Sequence, residues 1–173
     1  MSDTLITVVA ITLAAVLMFV FPLMSMSDRT EDISQLTVET ATTDFVDDIR
    51  TTGKITEAKY SKFLENLAST GNTYDVEMQV DVQDENPGKK TTQATKDKIG
   101  ENTQYSIFTS QILEELESKG EYDLKEGDKI SVNVKNTNQT LSQQLKNFFY
   151  KVTGNDTYSI AASHGGLVTA NGK

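Results

Sequence analysis

From Leu5 to Met24 the chain reads LITVVAITLAAVLMFVFPLM, 20 residues without a charge, with Thr7 and Thr12 as the only polar side chains. A helix of that length, rising about 1.5 Å per residue, spans roughly 30 Å, the thickness of a bilayer's hydrocarbon core. The two threonines cost little in lipid, because a hydroxyl in a helix bonds back to the carbonyl one turn earlier. Apolar character on every face is rare for a core helix of a small domain. A cleaved secretory signal would have a basic start, a shorter apolar core and small residues at its end. Here no Lys or Arg precedes the run, and Ser25-Met26-Ser27 is a poor cleavage site. A lipid-modified signal needs a cysteine, and the chain has none. The expectation is an uncleaved single-pass anchor in the cell membrane. The first basic residue after it is Arg29, beside Asp28, Glu31 and Asp32, and the short N-terminus is expected inside with the rest outside.

Beyond the run lie about 150 residues, one ordinary domain, long enough to bury a core without staples. With no cysteine, disulfides and thiolate metal sites are excluded. The chain has 25 acidic and 16 basic residues, a net charge of -9. That surface repels phosphate backbones, so no nucleic acid is expected as partner, and it lacks a basic patch for anionic lipid. Its simplest role is to keep the domain soluble.

Pro22 removes one backbone bond near the end of the run and is a candidate kink. Past it, Val38, Ala41, Phe45 and Ile49 recur at spacings of three and four, one apolar stripe on a helix that Gly53 can stop. The spacing predicts one long helix from about Asp3 to Thr52, apolar all round and then amphipathic. Thr56 can cap a second helix with Tyr60, Phe63, Leu64 and Leu67 inward, ended by Gly71. Tyr74, Val76, Met78, Val80 and Val82 alternate with polar residues, a strand with one wet face, which Asn86-Pro87-Gly88 breaks. Lys89 to Asn102 is polar and reads as a loop. Ile107, Phe108, Ile112, Leu113 and Leu116 suggest a third helix ending at Gly120, and Glu126-Gly127-Asp128 a turn. Ile130, Val132 and Val134 alternate as a second strand. Thr140 can cap a fourth helix bearing Leu141, Leu145, Phe148 and Phe149, with a turn at Gly154-Asn155-Asp156. Tyr158, Ile160 and Ala162 form a short third strand, resuming near Leu167 and Val168. The fold class expected is α+β, a long N-terminal hydrophobic helix followed by a small head of alternating helices and about three strands, helices on one face. The divisions are residues 1–27 for the membrane or assembly helix, 28–55 for its amphipathic extension and 56–173 for an α+β head outside the membrane.

No catalytic constellation is evident, and the chain is expected not to be an enzyme. His164, in Ser163-His164-Gly165-Gly166, is the sole histidine, so a triad would have to use it and a two-histidine metal site lacks its second ligand; beside glycines it could face a ligand, but it reads better as a turn residue than as a catalytic base. Asp44, Asp47 and Asp48 share a helix, and Asp81, Asp84 and Glu85 end a strand. Either group offers oxygens to a hard cation, but neither has the spacing of a calcium loop, and a solvated charged face is the better account. Gly120 and Gly127 are isolated and form no phosphate loop. Asn138-Gln139-Thr140 and Asn155-Asp156-Thr157 fit the glycosylation acceptor pattern, which short sequences often match by chance. No cofactor, metal or small-molecule substrate is expected.

The order of parts, an apolar then amphipathic helix joined to a small strand-bearing head, with Pro22 in the helix, resembles type IV pilins and pilin-like proteins. The stretches Asp44-Phe45-Val46 through Gly53-Lys54-Ile55-Thr56, Leu124 through Gly127-Asp128 to Val134, and Gly165-Gly166 look like small anchored proteins of tight-adherence (Tad-type) pilus loci in Gram-positive bacteria. Pilins also carry a basic leader ending in glycine and a glutamate early in the apolar run; here Leu5 opens the run and Asp3 is the nearest acid. The resemblance implies a structural subunit or accessory component of a pilus-like filament or secretion-type surface assembly. It would associate with itself or with other pilin-like subunits through the N-terminal helix, with Leu5 to Met24 and the stripe Val38, Ala41, Phe45 and Ile49 as the residues of interest and Ala10, Ala14 and Ala15 allowing close approach. The competing expectation is a monomeric, membrane-tethered module whose head binds a surface partner through an exposed apolar or aromatic patch.

Overall fold

The computed structural model describes residues 2–83, 104–140, 143–144, 147 and 159–172. The apolar run and the amphipathic stretch are a single helix, α1 (Ser2–Thr52), which continues through Pro22. Thr7 and Thr12 donate to the carbonyls of Asp3 and Val8, each at 2.8 Å, the local bonding that lets hydroxyls sit in an apolar helix. Gly53 ends α1 at φ 68°, and its N–H donates to Ile49 O at 2.7 Å.

Next come β1 (Lys54–Thr56) and α2 (Glu57–Ala68), where Thr56 Oγ1 accepts from Lys59 N as the sequence suggested. Then follow β2 (Tyr74–Gln83), β3 (Gln104–Phe108), α3 (Thr109–Lys119), β4 (Glu121–Asp123), β5 (Lys129–Asn136) and β6 (Ala161–Leu167). β1 and β4 form a small antiparallel pair, and the other four strands form an antiparallel sheet ordered β3-β2-β5-β6. The fold is α+β: a long N-terminal helix followed by a small head of helices and antiparallel strands.

One face of the sheet buries Met78, Val80, Ile130, Val132, Val134 and Ala162. Val38, Phe45, Val46 and Ile49 of α1, Phe63 and Leu67 of α2, and Ile112 and Leu116 of α3 close over it. Phe45 and Phe63 stack with ring centroids 4.4 Å apart. The second half of α1 is therefore a core element of the head. The opposite face carries Asp75, Glu77, Asn133, Lys135 and Ser163 outward.

Several expectations change. Ile107 and Phe108 lie in β3, because Ile107 pairs with Val80, and α3 begins only at Thr109. Gln111 marks that start by accepting the Phe108 N–H on Oε1 at 3.0 Å. Six strands are present among the described residues where about three were expected, and β6 is one continuous strand. Leu64 is 38% exposed rather than inward. Thr140 does cap a helical turn: its Oγ1 accepts from Gln143 N, and Gln143 Oε1 accepts from Thr140 N, both at 3.1 Å. The expected core positions Leu141, Leu145, Phe148 and Phe149, the break at 86–88, the loop at 89–102, the turn at 154–156 and Tyr158 lie outside the described residues.

Candidate assembly surface

The apolar part of α1 is long and apolar enough to cross a membrane, and none of that apolar window is buried. Leu5, Val9, Leu13, Phe19 and Phe21 are all exposed. The apolar surface does not stop where the run stops. Met26, Ile33 and Leu36 are 68%, 66% and 64% exposed on the amphipathic half. Their separations of seven and three residues put them on one side of the helix. That side is distinct from the stripe Val38, Ala41, Phe45 and Ile49, which was expected to serve assembly but is buried against the head's own core and so has no surface left for another subunit.

Polar contacts hold α1 to the head along its second half. Gln35 clasps the backbone of Ala161: its Nε2 donates to the carbonyl at 2.7 Å and its Oε1 accepts the N–H at 3.1 Å. Fifteen residues on, Arg50 Nε donates to Leu167 O at 3.0 Å. The guanidinium lies over Gly166, where a Cβ would come within 2.6 Å of Cζ. Arg50 O accepts from Thr169 N at 2.8 Å, so the C-terminal segment satisfies a carbonyl that the helix end leaves open. Where α1 enters the head, Glu31 is buried and its Oε1 accepts from Thr140 Oγ1 at 3.3 Å. A cleft of about 440 Å³ opens there, between Leu23, Met26 and Glu31 on α1 and Asn72, Asn138 and Thr140 on the head.

The carboxylates named from sequence do not converge. Asp47 pairs with Arg50 at 2.8 Å and Asp48 with Lys59 at 2.7 Å, while Asp44 is exposed. Asp81 accepts from Gln79 Nε2 and Ser106 Oγ, each at 2.7 Å, and these bonds hold its pKa below the usual carboxylate value. Asp84 and Glu85 lie outside the described residues. His164 lies within β6, paired with Val132, rather than in a turn; its Nε2 is 3.5 Å from Asp47 Oδ1 and makes no hydrogen bond. Among the described residues no group of three or more His, Asp or Glu is arranged to hold a metal ion. Asn138 is engaged within the head, accepting from Thr73 N at 2.8 Å and donating to Asn72 Oδ1 at 3.1 Å. Asn155-Asp156-Thr157 is outside the described residues. The straps Gln35 and Arg50 escaped the sequence reading, because nothing local marks a polar helical residue as the partner of a strand more than a hundred residues away. The chain matches no family model, no curated protein and no solved structure.

Proposed function

We propose that the chain is a non-enzymatic structural subunit, pilin-like, of a surface filament or secretion-type assembly. The apolar part of α1 holds it in the membrane with the head outside, and copies associate along α1. The observation that carries this is the exposed line Met26, Ile33 and Leu36, which extends the apolar surface of α1 beyond the membrane-length run. A lone anchor needs apolar surface only over the hydrocarbon core. Apolar residues aligned above it belong to a protein contact. The unbroken helix from Ser2 to Thr52 adds support, since it fixes the head's orientation relative to the anchor. A regular assembly needs that fixed relation and a tethered module does not.

The test is to shear cells, image the released material and sequence its N-terminus. Filaments containing the chain with its apolar helix support the proposal. Retention in the membrane as a monomer refutes it and favours the tethered binding module.

A further inference from the structure

In an antiparallel sheet the backbone groups of alternate residues point to opposite neighbours. Asn136 N donates to Ile160 O and Val168 N to Asp128 O, so the even-numbered residues of β6 bond to β5. The odd-numbered ones, Ala161, Ser163, Gly165 and Leu167, point away from the sheet. α1 caps both ends of that row, through Gln35 on Ala161 and Arg50 on Leu167 O. Between the caps, the N–H and C=O of Ser163 and Gly165 have no partner among the described residues, and both residues are exposed. Natural edge strands are usually blunted by Lys, Pro or a bulge. This one has small residues instead, Ala161, Ser163, Gly165 and Gly166, which let another backbone approach. Beside it runs a groove of about 280 Å³ lined by Glu39, Thr42, Thr43 and His164.

A second copy of the sheet is a poor occupant if the chain is anchored as proposed above. The 15 steps from Gln35 to Arg50 cover about 22 Å of helix, and the six steps from Ala161 to Leu167 about 20 Å of strand. α1 therefore runs alongside β6 in the same direction. Pairing β6 with another β6 antiparallel would point the two anchors in opposite directions. Continuing the sheet into another copy's β3, at roughly 20–25° per strand, would turn that copy by about 80–100°. Neither arrangement keeps both anchors in one membrane, whereas an extended segment free of such a rigid frame meets no conflict.

The charges around the groove indicate the segment's character. Asp47 is paired with Arg50, and His164 is 3.5 Å from Asp47. Glu39 is exposed and, among the described residues, has no cation within ion-pair distance and accepts only from Gln35 Nε2. The whole chain carries a net -9. The geometry points to β6 as the docking edge for an extended, basic segment of a partner protein, added as a fifth strand beyond β6 with a Lys or Arg directed to Glu39. The backbone of Ser163 and Gly165 supplies the hydrogen bonds, and the small side chains supply the access.

The test uses the full-length protein in its own membrane, with a photo-cross-linking amino acid replacing Thr43 in the groove or, as control, Glu77 on the opposite face. The expected result is an adduct from the Thr43 site alone, mapping to a partner segment that contains Lys or Arg. Ser163→Pro removes the outward N–H at a position where an edge strand tolerates proline. It should lower the adduct yield roughly five- to ten-fold, as expected for one lost hydrogen bond and hindered approach. Glu39→Lys, which leaves the backbone of Ser163 and Gly165 unchanged, should lower it similarly. The inference is overturned by no adduct, by equal adducts from both sites, by an adduct to a second copy of this chain, or by yields indifferent to both variants. Shearing the same cells reads filament formation separately, so loss of either conclusion is seen independently of the other.

Discussion

The end of α1 and the C-terminal segment cross so closely that the consequence of one added methyl can be worked out. Gly53 has φ 68°, and a Cβ there would lie 2.6 Å from Gly172 N and 2.8 Å from the Asn171 carbonyl carbon. Gly53→Ala therefore meets two penalties. The left-handed backbone costs an alanine about 1 kcal/mol. The second penalty is displacement of the segment, which loosens the bonds from Thr169 N to Arg50 O and from Gly172 N to Leu124 O, 2.8 and 3.0 Å long. At about 1 kcal/mol net each, they bring the total to about 3 kcal/mol. Urea unfolding of the detergent-solubilised chain, followed by tyrosine fluorescence, should show the midpoint lowered by roughly 1–3 M, given m-values of about 1–3 kcal/mol/M. The discriminating comparison repeats the substitution in a chain lacking residues 169–173. There only the backbone penalty remains, and the cost should fall to about 1 kcal/mol. An equal cost in both backgrounds would refute the reasoning, because it would mean that the crossing adds nothing beyond the strain at Gly53.

Three further outcomes are expected. Ala14→Lys, in the middle of the apolar run, should cost about 2.5–3.5 kcal/mol of membrane insertion, and alkaline carbonate should then extract the chain from membranes. Phe45→Ala and Phe63→Ala, made singly and together, should show a coupling of about 0.5–1.5 kcal/mol for the stacked pair; strictly additive costs would mean the stack contributes only its buried area. Burial pushes the Tyr122 pKa up from 10.0 to about 12. A phenol held protonated in the folded state contributes stability that is complete below pH 10 and is lost as pH rises towards 12. Tyr122→Phe should flatten the fall in unfolding midpoint between those pH values.

The parts of the fold that show in the sequence are those whose pattern is local and long. The stripe Val38, Ala41, Phe45 and Ile49 is buried as its spacing implies, and β2 and β5 keep their inward valines. What was hidden depends on distant partners. β1 and β4 have three residues each, too few to display a period, and exist because Ile55 finds Tyr122 across the chain. Phe108 stands four residues from Ile112, a helical spacing, yet pairing with β2 takes it and Ile107 into a strand. β6 reads AASHGGL, poor material for a strand on propensity. Its glycines make sense only against the folded neighbours: Gly166 beneath the Arg50 guanidinium, and Gly165 where a Cβ would lie 2.8 Å from Ile130 O. The apolar run was legible at once. The outward line Met26, Ile33 and Leu36 was not, because a sequence does not say which apolar positions of an amphipathic helix the head will cover.

That line also offers the sharpest way to separate anchoring from assembly. Leu36 lies 12 residues beyond Met24, about 18 Å further along the helix axis, which is past the reach of the hydrocarbon that covers the run. With the run in the membrane as proposed, lipid does not reach it, and the head leaves it 64% exposed. In the proposed assembly, α1 of another copy covers it. Replacing Ile33 and Leu36 by Asp leaves the membrane-length run untouched. It also leaves Val38, Phe45 and Ile49 in the core, so anchoring and folding should persist. If the outward stripe is where subunits meet, desolvating two carboxylates there should abolish filaments in sheared fractions while the chain remains in the membrane. Filaments of normal abundance from the double variant would sink the proposed contact along this side of α1. Loss of the protein from the membrane would instead mean that these residues serve the anchor, and that the apolar surface of the helix is one continuous membrane-facing element.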